Sequence, residues 1–190
     1  MNEEFYEKYK KMVKDIEVKI ANFEMLSAGE KDLFIRSTIF RNKLLIKNFK
    51  KEYKENKKNI KRSASDLKRR FKKEDCHVPY ISDGLIDHNK RVLANYMAFN
   101  DFLYFAIDKP TKRDCTEILR YKIYCDKYYQ MTKEITNKYI SNVDNGVDYR
   151  GNKMLFEYFD DNAALDKLTR DNDYSIKRIK ENGKIKEHIL

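Results

Sequence analysis

"KNFKKEYKENKKNIKRSASDLKRRFKK", residues Lys47 to Lys73, sets two kinds of side chain at helical spacing. Phe49, Tyr53, Ile60, Leu67 and Phe71 follow one another at steps of four and seven, which an α-helix gathers onto one face. Lys47, Lys50, Lys51, Lys54, Lys57, Lys58 and Lys61 recur at three, four and seven on a different face. Read as a helix, the segment has an apolar side that ties it to its own protein and a basic side held outward. Two lengths stay open: a helix continuous past residue 60, or one that breaks near Ser63-Ala64-Ser65.

Upstream, Ser27 and Glu30 in "SAGE" have capping-box spacing, in which the Ser oxygen accepts the N3 amide and Glu reaches back to the cap amide. That predicts a helix from about Ala28, its apolar face running through Leu33, Phe40 and Leu44 into Phe49. Residues 3–26 read as an earlier helix, with Phe5, Tyr9, Met12, Ile16, Ile20 and Phe23 on one face. Downstream, "DCHVPYISDG" (75–84) reads as a linker, because Pro79 disfavours helix at Val78 and Gly84 follows a turn-like run. A third helix, about 85–107, carries Leu85, Val92, Leu93, Tyr96, Met97, Leu103 and Ile107, and is the least charged. Lys109-Pro110 ends it, and Thr111 with Asp114 repeats the capping-box spacing for a fourth helix, about 112–141. Its inward positions are Cys115, Ile118, Leu119, Tyr129, Ile135 and Tyr139. "SNVDNGVDYRGN" (141–152) is turn-rich, and its "DNG" suits a short hairpin. "MLFEYF", "NAALDKLTRD" and "YSIKRIKENGKI" then read as short helices.

The expected fold is all-α: a bundle of three to four long helices over 1–141, with a small subdomain of short helices over 142–190. Composition agrees. Only 5 Gly and 2 Pro among 190 residues are too few for the turns of an all-β chain, and 41% hydrophobic residues with 14 Tyr and 11 Phe are too many for disorder. The amino terminus is charged from its start and lacks the apolar core of a signal peptide. No run approaches the ~20 apolar residues of a membrane span. Cys76, Cys115 and Cys125 are odd in number and irregular in spacing, which argues against a disulfide framework. The expected location is intracellular, the cytoplasm (of the host cell if the protein is viral).

The charge is concentrated. Lys47–Lys73 holds thirteen Lys or Arg against three acids, and the remaining 28 basic and 28 acidic residues of the chain cancel. The whole net charge of +10 therefore belongs to one segment. Like charges held together cost stability, so solubility alone does not explain such a block. Rows of Lys and Arg neutralise phosphates and release counterions without reading bases. Nucleic acid, DNA or RNA, is the expected partner of Lys47, Lys50, Lys51, Lys54, Lys57, Lys58, Lys61, Arg62, Lys68, Arg69 and Arg70. An acidic protein surface is the alternative, and a solvated helix face is the plain one. A membrane fits less well, because the opposite face has no bulky apolar stripe that the core does not need.

The carboxyl-terminal stretch resembles a helix-turn-helix. The turn would fall at Asp171-Asn172-Asp173, and Ser175, Lys177, Arg178 and Lys180 would face a major groove while Ile176 and Ile179 pack inward. It departs from the pattern in lacking a small turn residue and in needing a one-residue slip to align Leu168 with Ile176 and Ile179; an amphipathic tail explains the same residues. Cys76, His77, His88, Cys115 and Cys125 form no pair with metal-ligand spacing, so buried free thiols are expected, with no metal and no cofactor. No phosphate cradle, nucleophile elbow or metalloprotease motif is present, which favours a non-enzyme. Glu157, Asp160, Asp161 and Asp166 form an acidic patch that suits a helix amino terminus or a basic stripe on another copy.

The function expected from sequence is a non-enzymatic nucleic-acid-binding protein that uses its basic helix on phosphates. Lys-rich helices are common in AT-rich genomes, so a regulator of viral or phage type fits. The alternative is a small helical inhibitor or adaptor that binds a protein, such as a nucleic-acid enzyme, through the same helix.

Overall fold

The computed structural model describes residues 3–71, 77–107, 112–146, 161, 163–168 and 170. The fold is all-α: four long helices, α1 (Glu3–Ala21), α2 (Ala28–Phe71), α3 (His77–Ala106) and α4 (Lys112–Asp144), and a short helical stretch over 163–168. The chain divides into two compact units. Unit 1 comprises Met1–Ile46 with Tyr96–Ile123, and unit 2 comprises Lys47–Asn95 with Tyr124–Leu190. α2, α3 and α4 each contribute to both.

The first helix ends five residues short of expectation. The Glu24 amide reaches the Lys19 carbonyl (2.9 Å) and the Phe23 amide the Ile20 carbonyl (3.1 Å), a Schellman closure with Phe23 in the left-handed conformation (φ 58°). Gly usually takes this place because a Cβ costs ~1–2 kcal/mol there. Phe23 thus lies beyond the helix and exposed, as Met12 is on it, while Ile16 and Ile20 are buried as expected.

Ser27 and Glu30 start α2 in the expected way. The Glu30 amide donates to Ser27 Oγ (3.2 Å) and the Ser27 amide to Glu30 Oε2 (2.8 Å). Lys19 adds a charged bond to Glu30 Oε1 (2.6 Å). Together Lys19 and both Ser27 contacts hold the Glu30 carboxyl down at about 2.

α2 then runs 44 residues without a break at Ser63-Ala64-Ser65; Ser63 and Ala64 are buried. Its inward positions form two seven-residue series, 39, 46, 53, 60, 67 and 35, 42, 49, 56, 63, the a and d seam of a coiled-coil-like packing. Ile35, Ile39, Asn42, Phe49, Ile60, Ser63 and Leu67 are buried on it. The seam corrects two expected core residues: Phe40 and Leu44 are outward, at 63% and 50% exposed. Asn42 and Ser63 hold inward positions, so a stripe drawn through apolar residues alone swings off the true seam.

The expected linker at 75–84 is another correction. α3 already begins at His77, so most of that stretch is helix. Pro79 lies in the first turn, where its missing N–H would have no intrahelical acceptor anyway. Gly84 sits in a helix interior where a Cβ would meet nothing within 4 Å. α3 buries Leu85, Val92, Tyr96, Phe99 and Leu103, whereas Met97 is exposed against expectation. α4 buries Cys115, Ile118, Leu119, Ile135 and Tyr139 as expected, and Tyr128 besides. Gly146, at φ 71°, closes α4 as its amide returns to the Val143 carbonyl (3.0 Å). The "DNG" expected to turn a hairpin instead ends α4, whose last residue is Asp144; the Thr111 cap and most of the expected subdomain over 142–190 lie outside the described residues.

Surface chemistry differs between the units. The large hydrophobic side chains exposed among the described residues (Tyr6, Met12, Val18, Phe23, Met25, Phe40, Leu44, Met97, Tyr104, Phe105 and Ile123) all belong to unit 1. No helix among the described residues is long and apolar enough to cross a membrane.

Candidate nucleic-acid interface

The basic half of α2 belongs to unit 2, where polar contacts fix how it turns. Asn56 Nδ2 donates to Asn89 Oδ1 (2.8 Å), and Asn89 Nδ2 donates to both the Leu85 carbonyl (2.8 Å) and Thr136 Oγ1 (2.9 Å). One amide on α3 thereby joins α2 to α4. One heptad earlier, Phe49 packs on Tyr129 with ring centroids 4.5 Å apart, and Tyr129 Oη donates to Glu52 Oε2 (3.1 Å). Burial first, then the Glu52 charge and hydrogen bond, push the Tyr129 hydroxyl up to about 12, so it stays a donor at neutral pH. His88 Nδ1 meets Tyr128 Oη at 2.8 Å between α3 and α4. A helix pinned at Phe49, Glu52 and Asn56 cannot roll without breaking bonds in the interior, so its opposite side is a fixed outward surface.

That surface is lysine. Lys47, Lys50, Lys51, Lys54, Lys58, Lys61 and Lys68 are exposed, and none makes an ion pair or hydrogen bond. At ~100° per residue they occupy an arc of ~100°, about half a turn from the a/d seam, and at ~1.5 Å per residue they extend over ~31 Å. Lys57 is half-buried, with its ammonium 5.8 Å from the Tyr53 ring centroid.

The arginines of the segment behave differently. Arg70 Nη1 donates to the Val143 carbonyl (3.0 Å), capping the end of α4. Arg69 pairs with Asp66 one turn back, and Arg62 lies 4.0 Å from Asp144. Of the eleven basic residues expected at this site, the structure leaves seven lysines without partners and gives Lys57 and the three arginines contacts within unit 2. Lys177, Arg178, Lys180 and the rest of the helix-turn-helix resemblance lie outside the described residues.

Two members of the acidic patch face cations of unit 2. Asp161 lies 3.5 Å from Lys138 and Asp166 lies 3.9 Å from Arg91, with Leu165 buried between them in sequence. Glu157 and Asp160 lie outside the described residues. No group of three or more His, Cys, Asp or Glu among the described residues is arranged to hold a metal. Cys115 and Cys125 are buried thiols outside any disulfide, and burial, against the pull of Lys31, pushes the Cys115 thiol up to about 11. A pocket lined by Phe49, Glu52, Asn89, Tyr129 and Thr132 encloses about 10 Å³, room for one water and far too little for a metabolite.

Sequence reading missed the residues that orient the surface. Asn56, Asn89 and Thr136 are polar and were passed over by a search for apolar periodicity; the signal was Asn56 recurring seven after Phe49 on the inward series. Comparison with known proteins adds no further guide: no family model, curated protein or solved structure matches the chain.

Proposed function

We propose that this is a non-enzymatic nucleic-acid-binding protein, in which the outward lysines of α2 engage the phosphate backbone of DNA or RNA. One observation carries the reading. Seven lysines stand on one ordered face and none of them forms an ion pair, while the arginines interspersed with them contact their own fold. Unpaired cations on a rigid face sum their potentials and are the electrostatic footprint of polyanion binding. A regulatory role of viral or phage type accords with the Lys-rich composition usual in AT-rich genomes.

The test is fluorescence anisotropy with labelled DNA and RNA oligomers, comparing the protein with a variant carrying Lys50→Glu, Lys54→Glu, Lys58→Glu and Lys61→Glu. These side chains are exposed and unpaired, so the variant should keep its helical circular dichroism and lose binding at least tenfold. Undiminished binding by the folded variant would remove α2 from the interface.

A second reading is favoured by the exposed apolar side chains of unit 1. Phe40 and Leu44 lie one turn apart on α2, and Lys43 between them reaches to 5.3 Å from the Tyr104 ring centroid on α3. Such a surface suits a protein contact, as in an adaptor or an inhibitor of a nucleic-acid enzyme. Binding to a protein target that persists in high salt and without nucleic acid would favour it.

A further inference from the structure

The phosphate reading leaves open which form of nucleic acid the lysine face accepts. We propose that it takes a double helix, gripped along its backbone without regard to base sequence; this rests on the phosphate-binding role of α2.

Single strands are held by a basic groove combined with exposed aromatic rings on which unpaired bases stack, each stacked base being worth ~1–3 kcal/mol. Unit 2 offers no such ring among its described residues. Among the described residues between Leu44 and Met97 no large hydrophobic side chain is exposed. The two aromatic residues described within the basic segment are turned away: Phe49 is buried against Tyr129, and Tyr53 is half-buried with Lys57 over its ring. A base swung out from a strand on this face would find no exposed ring among the described residues to stack on.

Base-edge recognition is equally unprovided. The side chains best suited to it are the Arg fork on guanine and Asn or Gln on adenine. Arg62, Arg69 and Arg70 face acids or a carbonyl of their own fold, Asn56 is committed to Asn89, and Asn48 and Asn59 lie ~60–80° outside the lysine arc. What remains is a straight row of compact point charges, which fit phosphates and not base edges. α2 also has partners along its inner side, Asn89 and Thr136 through the amide network and Tyr129 through Glu52. It therefore presents an arc rather than a whole cylinder and lies against a backbone instead of filling a groove.

A duplex matches that row in length and regularity. It carries one negative charge per ~1.7 Å of axis, so the ~31 Å row lies beside close to one helical turn of regularly placed phosphates. A flexible single strand must be straightened to offer the same array, and it returns no stacking contact for the lost freedom.

The experiment is competition against a labelled mixed-sequence DNA duplex bound to the full chain. The unlabelled competitors are the same duplex, a duplex of unrelated sequence, an RNA duplex, and each DNA strand alone, all at one salt concentration. Expected are single strands at least tenfold weaker per nucleotide than the matching duplex, and the two DNA sequences within about threefold of each other. Whether DNA or RNA duplex competes better tells which double helix is preferred, and either supports the inference. Single strands competing as well as duplex would overturn it while leaving phosphate binding intact. A tenfold difference between the two DNA sequences would overturn sequence independence. Absence of binding to the labelled duplex and to labelled single strands alike would instead remove the phosphate reading beneath it.

Discussion

Asn89→Ala should destabilise the protein far more than its size suggests. The amide makes three hydrogen bonds, to Asn56, the Leu85 carbonyl and Thr136, and is itself buried. Thr136 is fully buried, so its hydroxyl loses a partner that water cannot replace; Asn56 is half-buried and can recover one from solvent. Stranding the Thr136 hydroxyl costs ~1–3 kcal/mol and the lost bond to Asn56 ~1 kcal/mol, which together give ~2–4 kcal/mol. The lower end applies if Thr136 turns to a carbonyl of its own helix. Urea unfolding followed by circular dichroism should show the midpoint fall at unchanged slope. Asn56→Leu, Asn89→Leu and Thr136→Val combined should recover most of the loss, because removing all members of a polar network leaves none stranded. A loss below ~0.5 kcal/mol for Asn89→Ala, the range of ordinary surface changes, would refute the view that this network fixes how α2 turns.

Other expectations follow from the same geometry. Ile35→Ala, at a fully buried seam position, should cost ~2–5 kcal/mol, whereas Phe40→Ser five residues on should cost less than ~0.5 kcal/mol; equal losses would contradict the a/d seam. Ser27→Ala should cost ~1 kcal/mol by removing the cap of α2, and Ser27→Gly only a few tenths, both read from urea midpoints. Tyr129 holds its proton more tightly folded than unfolded, so its contribution to stability is complete below pH 10 and lost as pH rises toward about 12; Tyr129→Phe should flatten that loss in denaturation series at alkaline pH. Glu30 has the opposite sign. Its carboxyl, ordinarily near 4.5, is held at about 2 by Lys19 and Ser27, so its contribution is complete above 4.5 and disappears as pH falls to 2, a slope that Glu30→Gln should remove.

Much of the fold was legible in sequence because helices announce themselves locally. The Ser27/Glu30 spacing marked the start of α2 through bonds between near neighbours, and the apolar residues of α4 marked its inward face. What failed depended on contacts across the chain. Phe40 and Leu44 look like core residues until Asn42 is seen to occupy the inward position between them. Pro79 and Gly84 look like breakers, yet one sits in a first turn that needs no donor and the other in a helix with open space around it. Of the candidate interface, the lysine row was visible as spacing alone. Its outward direction was not, because Asn56, Asn89 and Thr136 are 33 and 47 positions apart and meet only on folding. Nor could spacing separate unpartnered lysines from Arg62 and Arg70, whose partners Asp144 and Val143 lie far along the chain.

The most direct test of the phosphate-binding role is the salt dependence of duplex affinity. Seven unpartnered lysines, four or more of them in contact, give a slope of about −4 or steeper in log K against log salt. Replacing Lys54 by Gln should make that slope shallower by about 0.9. A slope near zero, or no binding near physiological salt, would mean that the lysine face meets only water or another protein.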